Sequence, residues 1–129
     1  MKQTDNFKFD EANIMNELVY RNLSEDEKRQ ICAWKYDGEY DLYNLPAYEE
    51  MQVRQIGFMN PQREKNYYGF WDKSILVGFV NILEEKEEVF IGIGVNPDFC
   101  NKHYGQRMLL ITYEISKKLY PNKPLYLEV

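Results

Sequence analysis

The spacing of apolar positions changes along this chain, and each change predicts an element. Leu18-Val19-Tyr20-Arg21-Asn22-Leu23 alternates as a strand does. Ser24 follows, with Glu27 three residues on. Each of these side chains can satisfy the other's free backbone N–H, so the pair predicts a helix from about Glu25 to Trp34. The stretch from Lys35 to Asn44 is aromatic, acidic and broken by Gly38, too polar for a core element. Pro46 suits a first helical turn, and helix is expected through Ala47-Tyr48-Glu49-Glu50-Met51 to about Ile56.

The period then shortens to two. Asn66 to Trp71 reads as a strand, Asp72-Lys73-Ser74 as a tight turn, and Ile75 to Leu83 as a strand apolar on both faces, hence central in a covered sheet. The charged run Glu84-Glu85-Lys86-Glu87-Glu88 makes a solvated hairpin tip before Val89 to Val95 returns. Val89, Ile91, Ile93 and Val95 share one face of that strand, and Gly92 and Gly94 share the other. Two glycines on one strand face imply that something approaches the backbone closely there. After Asn96-Pro97 the period becomes helical. Tyr104, Met108, Ile111, Ile115 and Leu119 make an apolar stripe from about Tyr104 to Leu119, with Lys117 and Lys118 in the last turn and Pro121 beyond it. Leu125 to Val129 opens another strand. Residues 1–17 are polar with scattered Phe7, Phe9, Ile14 and Met15, an arm or short helix ahead of one α/β domain, of α+β layout, over 18–129.

Composition narrows the function. A net charge of -5 argues against a nucleic-acid partner, which needs clustered Lys and Arg. Cys32 and Cys100 are far apart and His103 is the sole histidine, so neither a disulfide framework nor a metal site is expected. No apolar run is long enough to span a membrane and no apolar leader opens the chain, so a reducing cytoplasm is the expected setting.

The informative stretch runs from Ile93 through Asn96-Pro97-Asp98-Phe99-Cys100-Asn101-Lys102-His103-Tyr104-Gly105-Gln106 to Leu109, as strand, loop and helix N-terminus. Free amides and the positive end of the helix dipole make such a terminus a phosphate site. Gly105 would let a ligand near the backbone.

This loop, with the order of elements from about Leu18 to Val129, resembles the GNAT superfamily of acyl-CoA N-acyltransferases. The resemblance implies a mixed, mostly antiparallel central sheet with helices on both faces. It also implies acetyl-CoA as cosubstrate. Cys100, Asn101, Lys102, His103, Tyr104, Gly105 and Gln106 would lie around its pyrophosphate, and the backbone near Ile93 and Val95 would pair with the pantetheine arm. Cys100 stands where the family usually has Arg or Gln, and His103 where it usually has glycine. The family's later helix and final strands, with their asparagine and tyrosine, have no counterpart before Val129. The chain is therefore read as a truncated domain whose last strand leaves an open edge, covered by a second copy or another partner.

The implied reaction is direct attack of a small-molecule or peptide amine on the thioester. Glu128 is the candidate base, against the plainer reading of a solvated strand carboxylate. Tyr36, Tyr40 and Tyr43 are candidate acceptor contacts, with Asp37, Glu39 and Asp41 to attract an amine, against the plainer reading of an acidic surface loop. The irregular loop and missing end keep a second function open: a non-catalytic CoA-binding or protein-interaction module derived from this fold.

Overall fold

The computed structural model describes residues 2–4, 18–100 and 102–128. Its elements in chain order are β1 (Lys2–Thr4), β2 (Val19–Asn22), α1 (Glu25–Ala33), a 3-10 helix (Gly38–Tyr43), α2 (Tyr48–Arg54), 3-10 turns at Gly57–Met59 and Glu64–Asn66, β3 (Tyr67–Asp72), β4 (Ile75–Glu84), β5 (Val89–Val95), a 3-10 turn (Pro97–Phe99), α3 (Tyr104–Leu119) and β6 (Leu125–Glu128).

The strands form one sheet in the order β1-β6-β5-β4-β3-β2. All neighbours are antiparallel except β5 and β6, which are parallel because α3 carries the chain between them. The β3–β4 hairpin turns at Lys73, whose φ is 58°. The β4–β5 hairpin closes where the Glu85 N–H donates to the Glu88 carbonyl at 2.8 Å. Register against β3 shifts so that Trp71 faces Leu76 while Phe70 faces Gly78. Val77 is the extra residue of this bulge and joins the buried core.

Helices cover both faces. On one, Met108 and Ile115 of α3 pack on Phe70, Val77, Val80, Ile82, Val89, Ile91 and Leu125. On the other, Ile31 and Cys32 of α1, Tyr48 and Met51 of α2, and Phe58 and Met59 pack on Leu76, with Phe79 and Trp71 at the margin. Each fully buried side chain of this kind contributes about 1.5–3 kcal/mol. The expected capping box begins α1: the Ser24 N–H donates to Glu27 Oε1 at 2.8 Å, and the Glu27 N–H to Ser24 Oγ at 3.3 Å. Arg21 on β2 donates twice to the same carboxylate, at 2.8 and 2.7 Å, and ties α1 to the sheet.

Four local expectations are corrected. The edge of β6 is not open: β1 pairs along it, with Lys2 opposite Glu128 and Thr4 opposite Tyr126. The segment read as an arm or short helix thus contributes a strand at Lys2–Thr4, and its residues 5–17 lie outside the described residues. Pro46 precedes α2 instead of opening it, and α2 stops at Arg54 because Gln55 turns left-handed, with φ at 53°. The apolar stripe of α3 is rotated from the expected one. Leu119 is exposed, while Thr112 and Ser116 are fully buried. Thr112 can be buried because its Oγ1 donates to the Met108 carbonyl at 2.7 Å.

Candidate active site

Strand β5 is paired differently at its two ends. β6 lies beside it over two residue pairs only, Val89 with Leu125 and Phe90 with Tyr126. β4 runs beside it over its whole length, to Val95 opposite Gly78. The backbone groups left over can be deduced. The Asn96 N–H donates to the Val77 carbonyl at 2.8 Å, so Asn96 turns its backbone groups toward β4. Successive residues of a strand alternate, so Val95, Ile93 and Ile91 turn theirs toward β6. At the other end the Val89 N–H donates to the Pro124 carbonyl at 2.9 Å, in the same phase. Beyond Phe90, Ile93 and Val95 therefore present N–H and C=O groups to an edge where no strand of the described residues pairs. These hydrogen-bonding groups line the edge of β5 past the last described residue of β6.

This edge ends at α3. With Tyr104 as first helical residue, the amides of Tyr104, Gly105 and Gln106 lack partners inside the helix, while the Arg107 N–H reaches the His103 carbonyl at 3.3 Å. Gly105 lies against Val95: a Cβ there would meet Val95 Cγ2 at 3.5 Å, an ordinary contact. The left-handed residue at this terminus is His103, with φ at 64°. Its side chain makes no cap bond and it is exposed. The Asn96 side chain fixes the loop's start, with Nδ2 donating to the Leu76 carbonyl at 3.0 Å and Oδ1 accepting from the Asp98 N–H at 3.0 Å.

Tyr36 reaches the same edge of β5 at Val95. Its hydroxyl donates to the Val95 carbonyl at 2.5 Å. Burial, and secondarily the Cys100 thiol, push its pKa up to about 12, so it stays a donor at neutral pH. Tyr43 meets the Tyr36 ring edge-on at 6.4 Å, and Tyr40 stacks on Tyr43 at 6.5 Å. The rings make a short ladder leading from this edge to solvent, with Asp37, Glu39 and Asp41 exposed around it.

No protein-family profile matches the sequence, and no curated protein sequence does either. Solved structures do match. A GNAT-family acetyltransferase from Bacillus anthracis superposes with a TM-score of 0.61 at 18% identity, over 79% of this chain and 63% of that one. The ribosomal-protein-S18-alanine N-acetyltransferase from Escherichia coli gives 0.57 at 16%, over 88% and 67%. The PaiA N-acetyltransferase from Thermoplasma acidophilum, solved in complex with coenzyme A, gives 0.54 at 18%, over 80% and 74%. The chain has the GNAT fold. It spans 63% of the length of the Bacillus anthracis protein.

Within the GNAT fold, the predicted site residues separate into groups. Ile93, Val95, Tyr104, Gly105 and Gln106 come together, by backbone, where β5 opens and α3 begins. The Tyr104 side chain turns away: its hydroxyl donates to Asp72 Oδ2 at 2.5 Å, a bond that raises the hydroxyl's pKa and ties α3 to the end of β3. Cys100 is exposed, with its thiol 3.7 Å from the Asn96 carbonyl oxygen. Lys102 is exposed and holds its ammonium 5.3 Å from the Phe99 ring centre. Asn101 lies outside the described residues. Glu128 closes β6 beside β1, and only its backbone belongs to the described structure.

The two strand glycines serve the protein's own packing. A Cβ on Gly94 would stand 2.3 Å from Phe79 Cε1, so the group that approaches this backbone is the Phe79 ring. Gly92 is under no such pressure, its nearest contact being Phe90 at 3.4 Å. The position that sequence reasoning missed is Gly78, where a Cβ would meet the Gly94 carbonyl oxygen at 2.6 Å and Met108 Cε at 2.5 Å. Its signal was a lone glycine inside an apolar strand.

Proposed function

We propose that this domain moves an acetyl group from acetyl-CoA to an amine acceptor, in the cytoplasm, by direct attack of the amine on the thioester. The observation that carries this reading is the edge of β5 at Ile93 and Val95, which no strand of the described residues pairs and which ends on the α3 N-terminus. A pantetheine arm carries amide groups spaced along an extended chain and can pair with such an edge as an added strand. The amides of Tyr104, Gly105 and Gln106 would meet the pyrophosphate, with Lys102 near enough in sequence to add a charge. When bound, acetyl-CoA supplies the activated acyl group. The chain's own part is to align that group along β5 and to offer a backbone N–H of the splayed strand to the oxyanion. The Tyr36, Tyr43 and Tyr40 ladder, with Asp37, Glu39 and Asp41 about it, would receive a cationic small-molecule or peptide amine. Glu128 remains the proposed base.

A second reading is a CoA-binding or interaction module without catalysis. Its supporting observation is that His103 places an imidazole at the left-handed position before α3, where glycine would leave the loop bare.

Thermal unfolding with acetyl-CoA, with desulfo-CoA and ATP as controls, tests the site. Ligand at about a hundred times its Kd should add roughly 2.7 kcal/mol of stability. A shift produced by CoA compounds and not by ATP supports both readings, and release of free thiol with an amine present then selects the enzyme. A folded chain that no CoA compound stabilises would count against acyl transfer and CoA binding and put the interaction module in the lead.

A further inference from the structure

Tyr36 carries the inference, because its hydroxyl sits on one of the backbone groups that a strand-like ligand would use. We infer that Tyr36 is a latch on the edge of β5: it holds the Val95 carbonyl and yields it to an incoming ligand amide. This rests on the reading of that edge as an acyl-CoA site.

The geometry supports a latch over a fixed wall. The bond to Val95 is 2.5 Å long, so the end of the phenol ring itself stands on the edge. A carbonyl can accept two hydrogen bonds, but an extended ligand cannot lie along β5 through the ring. Entry therefore displaces Tyr36. Its tethers are local ones. The Tyr36 N–H donates to Asn44 Oδ1 at 2.7 Å, and Tyr43 packs edge-on against the ring. The 3-10 helix between these tethers, Gly38–Tyr43, contains no buried residue. Moving this segment exposes little core, so opening is inexpensive on the scale of unfolding. The donor exchanged is also matched, since a phenol O–H is replaced by an amide N–H on the same acceptor.

A latch lowers apparent affinity by the fraction of molecules that are open. Removing the hydroxyl removes one hydrogen bond of the closed state and leaves the ring. Tyr36→Phe should therefore bind acetyl-CoA about two- to tenfold more tightly than wild type. Asn44→Ala, which frees the backbone tether and leaves the hydroxyl, should shift affinity in the same direction. The experiment is calorimetric titration of acetyl-CoA into the full chain, as wild type and as each variant, with circular dichroism to establish folding. Tighter binding by Tyr36→Phe supports the latch, as does binding by the variant when wild type shows none. Equal or weaker binding overturns the latch alone, weaker binding making Tyr36 a ligand contact. Absence of binding by wild type and both variants overturns the acyl-CoA reading, and the latch with it. If Tyr36→Phe does not fold, Asn44→Ala decides by the same criterion.

Discussion

The two ends of β5 are built from similar residues and do different work. At the Val89 end the strand has neighbours on both sides, and Ile91 is 1% exposed beneath α3. At the Val95 end β4 is its one neighbour among the described residues, and Ile93, on the same face two positions later, is 37% exposed. One strand thus anchors the core with its first half and leaves a backbone edge without a partner strand among the described residues with its second. Neighbouring strands make the difference, since the apolar alternation of β5 runs unchanged through both halves while β6 is described only to Glu128.

The sharpest way to break the comparison is to truncate both isoleucines. Ile91→Ala should cost about 2–5 kcal/mol, because the cavity lies in closed packing. Ile93→Ala should stay within about 0.5 kcal/mol, as surface substitutions do. Urea midpoints of the two variants measure the contrast, and equal losses would mean that the halves are equally packed. Gly78→Ala comes next, at about 1–3 kcal/mol, since the new methyl meets the backbone oxygen of Gly94 as well as flexible Met108. Gly92→Ala is its control and should be near neutral by thermal unfolding.

A smaller effect comes from β2, away from both ends. Bonding to the Arg21 guanidinium holds Glu27 below its ordinary 4.5. A depressed carboxylate stabilises the fold above its unfolded pKa and loses that contribution as pH falls through the folded one. Stability measured by denaturant titration should therefore drop below about pH 4.5, and Glu27→Gln should flatten that drop. The variant should lose about 0.5–1 kcal/mol at neutral pH, because Arg21 is largely exposed. The smallest expected change is a gain at the open end. His103 is left-handed, which costs a residue with a Cβ about 1–2 kcal/mol. His103→Gly recovers that and gives back part of it as unfolded-state entropy, for a net of about 0.5 kcal/mol in the melting curve. A loss instead would show that the imidazole has a structural contact.

The regular parts of this fold were legible because local pattern fixes them. Val89–Val95 and Tyr104–Leu119 follow from alternation and helical spacing, and Ser24 with Glu27 marks the start of α1 from three residues' separation. What stayed hidden depends on distant partners. The Tyr36 hydroxyl and the Val95 carbonyl meet across 59 positions. Gly94 looked like room left for a ligand because nothing local places the Phe79 ring over it. Lys2–Thr4 has no apolar alternation at all, and it is a strand because β6 offers it hydrogen bonds. The edge of β5 at Ile93 and Val95 was anticipated through resemblance, and the phase of its backbone groups needed the Asn96 and Val89 bonds.

The pairing of β1 with β6 bears on how the chain is assembled in time. Lys2 and Glu128 face each other across almost all of the 129 residues. A ribosome releases β1 among the first residues of this stretch and must make nearly everything else before its partner exists. The hairpins β3–β4 and β4–β5 can close early, because their contacts are short in sequence. The β1–β6 ladder pays the longest loop closure in the molecule and belongs to the last stage of folding. Until then the β6 edge is bare, and nascent chains are most open to wrong pairing in that interval.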